Sequence, residues 1–217
     1  MSIMQVNDSL KAPLRRNART EVTRQSLISS AERLIAEKGL ANVSTRDVLA
    51  AAGQRNQSAL QYHFGGKDGL IRAVVIARSE AMDNRRGELL ETLPDEPTVK
   101  DLSSVFIRPL AELASDVDGG GRQHLIFLGQ AVTRPGFELE RAIDGYQQAN
   151  FDLAARLLFD RTNNLDVSER RLRLDMVLDV AILTLKRWAD ADCAGRSEDE
   201  IVDFLTTISD CIFTEAP

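Results

Sequence analysis

Between Gly53 and Phe64 the chain crowds six side chains able to read a surface by hydrogen bonding: Gln54, Arg55, Asn56, Gln57, Ser58 and Gln61. A glutamine or asparagine amide presents a donor and an acceptor side by side, the pattern that pairs with adenine N6 and N7, and an arginine fork matches guanine O6 and N7. An ordinary solvated helix draws more on Glu, Lys and Ala. The chemistry on offer is recognition rather than turnover. The chain has no G-x-S-x-G elbow, no G-x-x-x-x-G-K-[ST] phosphate loop, no H-E-x-x-H and no G-x-G-x-x-G after a strand, so no enzyme and no cofactor is expected.

Metal chemistry is excluded on the same grounds. Asp116-Val117-Asp118-Gly119 opens like a calcium loop, but Gly120 stands at the fifth-position ligand and Phe127 where the bidentate Glu belongs. Two histidines, His63 and His124, and two cysteines, Cys193 and Cys211, cannot assemble a zinc site of the usual spacing, and the cysteines read as small buried hydrophobes. Asn7, Asn42 and Asn56 sit in glycosylation sequons, which have no consequence without an export signal.

The recognition cluster needs elements to hold it. Leu27, Ala31, Leu34 and Ile35 recur at helical spacing, so a first helix is expected from near Thr20 to Gly39. Ser44 followed by Asp47 is a capping-box arrangement that opens a second helix of about two turns, with Val48 and Leu49 as its apolar face. Ala59, Leu60 and Phe64 give a third short helix, ended by Gly65 and Gly66, with Phe64 as a core anchor. A fourth is expected from Lys67 through Leu70, Val74 and Ala77 to about Leu93, before Pro94. Two short helices around a polar, glycine-bearing turn make a helix-turn-helix pattern.

Length and charge agree with that pattern. The 217 residues, 43% hydrophobic and 28% charged, suffice for a substantial core. Residues 1–75 carry 11 Lys and Arg against 6 Asp and Glu, while the remainder carries 16 against 27. A basic head on an acidic body is drawn to a polyanion through one end. Lys11, Arg15, Arg16 and Arg19 form a basic arm suited mainly to nonspecific attraction. No apolar run is long enough to span a bilayer and MSIMQVNDSLKAPLRR lacks a signal h-region, so a cytoplasmic protein with no membrane partner is expected.

Beyond Thr98 the pattern is helical throughout, with breaks at Gly119–Gly121, Pro135–Gly136, Asn163–Asp166 and Gly195. Leu172, Met176, Val180, Leu183 and Trp188 lie in a helix apolar on several sides. Ser197 and Glu200 form a second capping box, followed by a stripe of Ile201, Phe204, Leu205, Ile208, Cys211 and Ile212. Packing inside one subunit and a dimer interface both fit that stripe.

The run from Leu27 to Leu70, about a fifth of the chain, resembles the DNA-binding domain of TetR-family transcriptional regulators. The resemblance is carried by A-x-x-L-I-A-E-K-G, S-T-R-D-V-L-A-A-A-G and Y-H-F-G-G-K-D-G-L. It implies that Ser44 caps the second helix, that Thr45 and Arg46 lie close to a phosphate, and that Tyr62, His63 and Lys67 touch the DNA backbone. A cation at a helix N-terminus independently suits a phosphate. Compared with the family's usual pattern, one extra residue lies between Gly53 and Phe64, and Gln61 replaces a tyrosine common in the family.

An all-α fold is therefore expected: a flexible basic arm over 1–19, a three-helix helix-turn-helix domain over 20–66, and a helical effector-binding and dimerisation domain over 67–217. The family implies a homodimer on double-stranded operator DNA, with a small-molecule effector. Phe106, Arg108, His124, Phe127, Phe137, Phe151, Met176 and Trp188 are the candidate pocket residues, and Ile201, Phe204, Leu205, Ile208 and Ile212 the candidate dimer interface. A ligand-released repressor is the leading reading. A helical interaction module with a decayed helix-turn-helix, or a small helical enzyme, are the alternatives.

Overall fold

The computed structural model describes residues 11–56, 58–133 and 148–214, with side chains from Thr20 onward. Regular structure among them is helical: α1 (Lys11–Lys38), a 3-10 turn (Leu40–Asn42), α2 (Thr45–Ala51), α3 (Ala59–Phe64), α4 (Lys67–Ile76), α5 (Ser79–Glu91), α6 (Val99–Ser115), α7 (Gly121–Ala131), α8 (Ala149–Arg161), α9 (Val167–Asp190) and α10 (Glu198–Thr214). The chain divides into two compact units at Val74 and Val75, inside α4 rather than after Gly66.

Helix α1 starts earlier than expected. The stretch read as a flexible arm is helical from Lys11, and Pro13 does not prevent this because the first backbone N–H groups of a helix have no intrahelical acceptor. In the first unit, Leu27, Ile28, Ala31, Leu34 and Ile35 of α1 are buried with Val43, Val48, Leu49, Leu60, Leu70, Ile71 and Val74. Chain direction then depends on glycines. Gly65 and Gly66 hold φ of 71° and 133° between α3 and α4, a region that side chains with a Cβ rarely enter. Gly69, inside α4, is dictated by closeness instead: a Cβ there would stand 1.8 Å from the carbonyl oxygen of Phe64.

The second unit is built around α6, which is flanked by α5, α7, α8, α9 and α10. Thr98 and Asp101 form a full capping box at its start, and Leu102, Val105, Phe106, Ile107, Leu110 and Ala111 are buried along it. A buried hydroxyl pair, Ser103 and Ser209 at 2.6 Å, joins it to α10. The long helix expected from Lys67 to Leu93 is two helices, separated at Ala77–Arg78. The Ser79 hydroxyl donates to the Val75 carbonyl at 3.4 Å, the kind of local bond that competes with the helical ladder, and Arg78 Nη2 reaches the Gly119 carbonyl at 2.7 Å. The breaks expected near Gly119–Gly121, Asn163–Asp166 and Gly195 all separate helices, whereas Pro135–Gly136 lies outside the described residues.

Candidate nucleic-acid interface

Helix α2 is started by its cap. Ser44 Oγ accepts from the Asp47 N–H at 3.2 Å, and the Ser44 N–H donates to Asp47 Oδ2 at 2.9 Å. The Ser44 hydroxyl donates to Asp47 Oδ2 at 2.6 Å, and with the Ser44 N–H it holds the Asp47 carboxyl below its ordinary range. These bonds also fix the first turn of α2, which places Thr45 and Arg46 in solvent while Val48 and Leu49 face the core.

The turn after α2 consumes polar groups that the sequence offered as base readers. Gln54 Nε2 donates to the Ala52 carbonyl at 3.3 Å. Asn56 Oδ1 accepts from the Ser58 N–H at 3.0 Å and from the Ser58 hydroxyl at 2.7 Å, an Asx turn leading into α3. Gln54, Asn56 and Ser58 thus shape the approach to α3, and Gln57 lies outside the described residues. Arg55 and Gln61 remain exposed, as does Tyr62 at 74%. His63 meets the Tyr62 ring edge-on at 5.0 Å. Phe64 is half-buried, with the Arg24 guanidinium 5.7 Å from its ring centroid.

Lys67 has a role that the sequence did not reveal. Its Nζ donates to the Val43 carbonyl at 2.6 Å and the Leu40 carbonyl at 3.3 Å, tying the start of α4 to the turn before α2. An ammonium has three donors, so one remains to meet a phosphate.

The candidate effector residues separate. Phe106 and Phe151 meet edge-on at 5.1 Å, and His124 and Phe127 are buried neighbours on α7. Arg108 instead pairs with Asp199 at 2.8 Å across α6 and α10, and Trp188 Nε1 donates to the Arg196 carbonyl at 3.2 Å, closing the α9–α10 turn. Met176 is 48% exposed on the outer face of α9, beside Leu172 at 54% and Val180, and lines no interior space. Phe137 lies outside the described residues. A surface groove of about 510 Å³ runs along α10 over Arg196, Asp199, Asp203, Phe204 and Thr207; none of these candidates lines it, and Arg108 and Trp188 adjoin it through Asp199 and Arg196. Sequence reasoning missed Asp83 and Arg86, buried on α5 against Phe151; two charges on a polar helix give no signal of burial.

The apolar stripe of α10 has two fates. Ile201 and Leu205 are buried in the core of their own unit, so they cannot form an outward interface. Phe204 is 41% exposed, and Ile208 and Ile212 are half-buried. A 3-and-4 spacing marks one stripe roughly 100° or more wide, and the core covers only the edge holding Ile201 and Leu205, beside the buried Val202, Thr206, Ser209 and Phe213, which leaves the edge holding Phe204 open. Among the described residues no helix is long and apolar enough to cross a membrane, and no group of three or more His, Cys, Asp or Glu could hold a metal ion.

Residues 27–74 match the family described as bacterial regulatory proteins, tetR family. A search of curated proteins finds no match to the sequence. Among solved structures, the fatty acid degradation regulator FadR from Bacillus halodurans aligns with a TM-score of 0.60 at 16% identity, covering 88% of this chain and 95% of that one. FadR from Bacillus subtilis, solved in complex with stearoyl-CoA, aligns with a TM-score of 0.55 at 16% identity over 88% and 97% of the two chains. The multidrug binding protein EbrR, complexed with malachite green, gives 0.52 at 20% identity over 88% and 98%. At these identities the likeness is one of fold.

Proposed function

We propose that this chain, whose residues 27–74 match the tetR family of bacterial regulatory proteins, is a homodimeric repressor released from a pseudo-palindromic operator by a small hydrophobic or amphipathic effector. The observation carrying this is the solvent face of the first unit. Thr45, Arg46, Arg55, Gln61 and Tyr62 are each exposed, on a unit that buries most of its large apolar side chains. One such unit covers too little duplex for tight specific binding, and a two-fold pair matches two half-sites. Support for pairing comes from the exposed apolar residues Leu172, Met176 and Val180 of α9 with Phe204 of α10, surfaces of the kind that four-helix interfaces bury.

Release by a ligand is supported by α4, whose residues fall on both sides of the division between the units. A ligand that shifts its C-terminal half moves Lys67 at its N-terminus. Half-sites have fixed spacing along the duplex, so a shift of a few Å weakens simultaneous docking. The fold neighbours solved with stearoyl-CoA and malachite green support a ligand-responsive second unit.

Gln61 tests the recognition surface. Gln61→Ala is expected to cost roughly 1–3 kcal/mol on the preferred duplex and to relax preference at one base pair, read by competition binding on systematically varied duplexes. Equal losses on preferred and random DNA would remove Gln61 from base reading.

A further inference from the structure

The second unit buries a cation whose surroundings leave it incompletely paired. Arg86 on α5 is 5% exposed, and its Nε has no hydrogen-bond acceptor among the described residues. Nη1 donates to Gln148 Oε1 at 3.3 Å, a long bond. Asp83 Oδ1 stands 3.7 Å from Nη1, beyond the 2.7–2.9 Å of a well-formed guanidinium–carboxylate hydrogen bond. Asp83 is held back by other partners. Its Oδ1 accepts from the Phe151 N–H at 2.9 Å, and its Oδ2 from the Asn150 N–H at 3.2 Å, at the first turn of α8. The Arg86 guanidinium lies 5.1 Å from the Phe151 ring centroid, and Phe151 meets Phe106 edge-on.

Removing a guanidinium from water is costly unless its donors are matched, and a donor left unmatched in a folded protein calls for a physical reason. Burial pulls Arg86 down to about 10, so it is still charged at neutral pH. A second anion would complete its shell. Asp83 and Arg86 cancel formally, but the Asp83 carboxylate is taken up by the Asn150 and Phe151 N–H groups at the first turn of α8, so a monocarboxylate adds one negative charge to the cluster where a dianionic phosphate would add two.

We propose that Arg86 anchors the effector, and that the effector is a monocarboxylate amphiphile whose acid group takes the Nε edge of the guanidinium while its apolar part lies along Phe151 and Phe106. This rests on reading the second unit as the effector-binding one. Arg86 sets the charge of the ligand, and the two aromatic rings set its hydrophobic character.

Calorimetric titration of the full chain without DNA tests this, with benzoate and decanoate each compared with benzyl alcohol and 1-decanol below micellar concentrations. At least one acid is expected to bind about tenfold or more tightly than its alcohol. Arg86→Met should erase that preference to within about twofold, and Arg86→Lys, which keeps the charge without the fork, should retain part of it. Equal binding of acid and alcohol, no binding of either acid, or a preference that survives in a helical Arg86→Met chain would overturn the proposal. The comparison in the unaltered chain and in Arg86→Lys decides the matter should Arg86→Met lose its helical far-UV spectrum. DNA release is read separately. An acid that binds through Arg86 yet leaves operator binding intact overturns release and keeps the anchor; release by a neutral molecule independent of Arg86 does the reverse.

Discussion

At the scale of single residues, hydrogen-bond partners decide which polar groups are available to DNA. Lys67 is the clearest case, because its Nζ already donates to two carbonyls of its own unit, which leaves one donor for the proposed phosphate contact. Lys67→Ala is therefore expected to act twice. It should lower the thermal stability of the chain by roughly 1 kcal/mol through lost bonds to Val43 and Leu40, and weaken binding to all duplexes about equally. Melting curves paired with binding to specific and random DNA check both; unchanged melting would mean that the carbonyl bonds contribute nothing. The motif Y-H-F-G-G-K-D-G-L marked Lys67 as important, but its carbonyl partners lie 24 and 27 positions earlier, and such a separation has no signature in local spacing. Asn56 and Ser58 were legible as polar and not as partners of each other, since a base reader and an Asx turn use the same residue types.

At the scale of elements, caps and glycine punctuation were readable because their physics is local. Ser44 with Asp47 and Ser197 with Glu200 both form the reciprocal bonds that their three-residue spacing implies. The expected single helix from Lys67 to Leu93 failed because the break at Ala77–Arg78 carries no glycine or proline, and depends on a serine back-bond and a reach to Gly119. The caps also set a pH response. Bonds from Ser44 lower the Asp47 carboxyl below 3.8, so its folded value lies under its unfolded one. The resulting stabilisation is present above the unfolded value and is lost as pH falls through the folded one. Asp47→Ala should thus melt below the parent at pH 7, with the gap closing as pH drops under 3.8. A gap independent of pH would exclude the ionised carboxylate as its source. Asp175 and Asp179 on α9 go the other way, raised by partial burial, so acid relieves rather than weakens that face.

At the scale of the whole molecule, the proposal assigns pairing to an acidic second unit with exposed apolar residues and DNA contact to a first unit with exposed polar ones. Met176 was expected inside a pocket and stands on the outer face with Leu172 and Val180, because periodicity shows that a helix has an apolar side without saying what covers it. Asp83 and Arg86 were illegible for the converse reason, as charged residues on a polar helix read as solvated. Introducing Glu at both Phe204 and Ile208 should give monomers in sedimentation and abolish tight operator binding, whereas a variant that stayed dimeric would place the interface elsewhere. The most direct test of the central claim, that this chain is a sequence-specific dimeric DNA-binding protein, is selection of bound duplexes from a random pool followed by affinity measurement across salt. Two-fold symmetric half-sites should be enriched, and affinity for them should fall steeply between roughly 50 and 200 mM salt as counterions are released. Selection that enriches no sequence, or an affinity flat over that range, would contradict it.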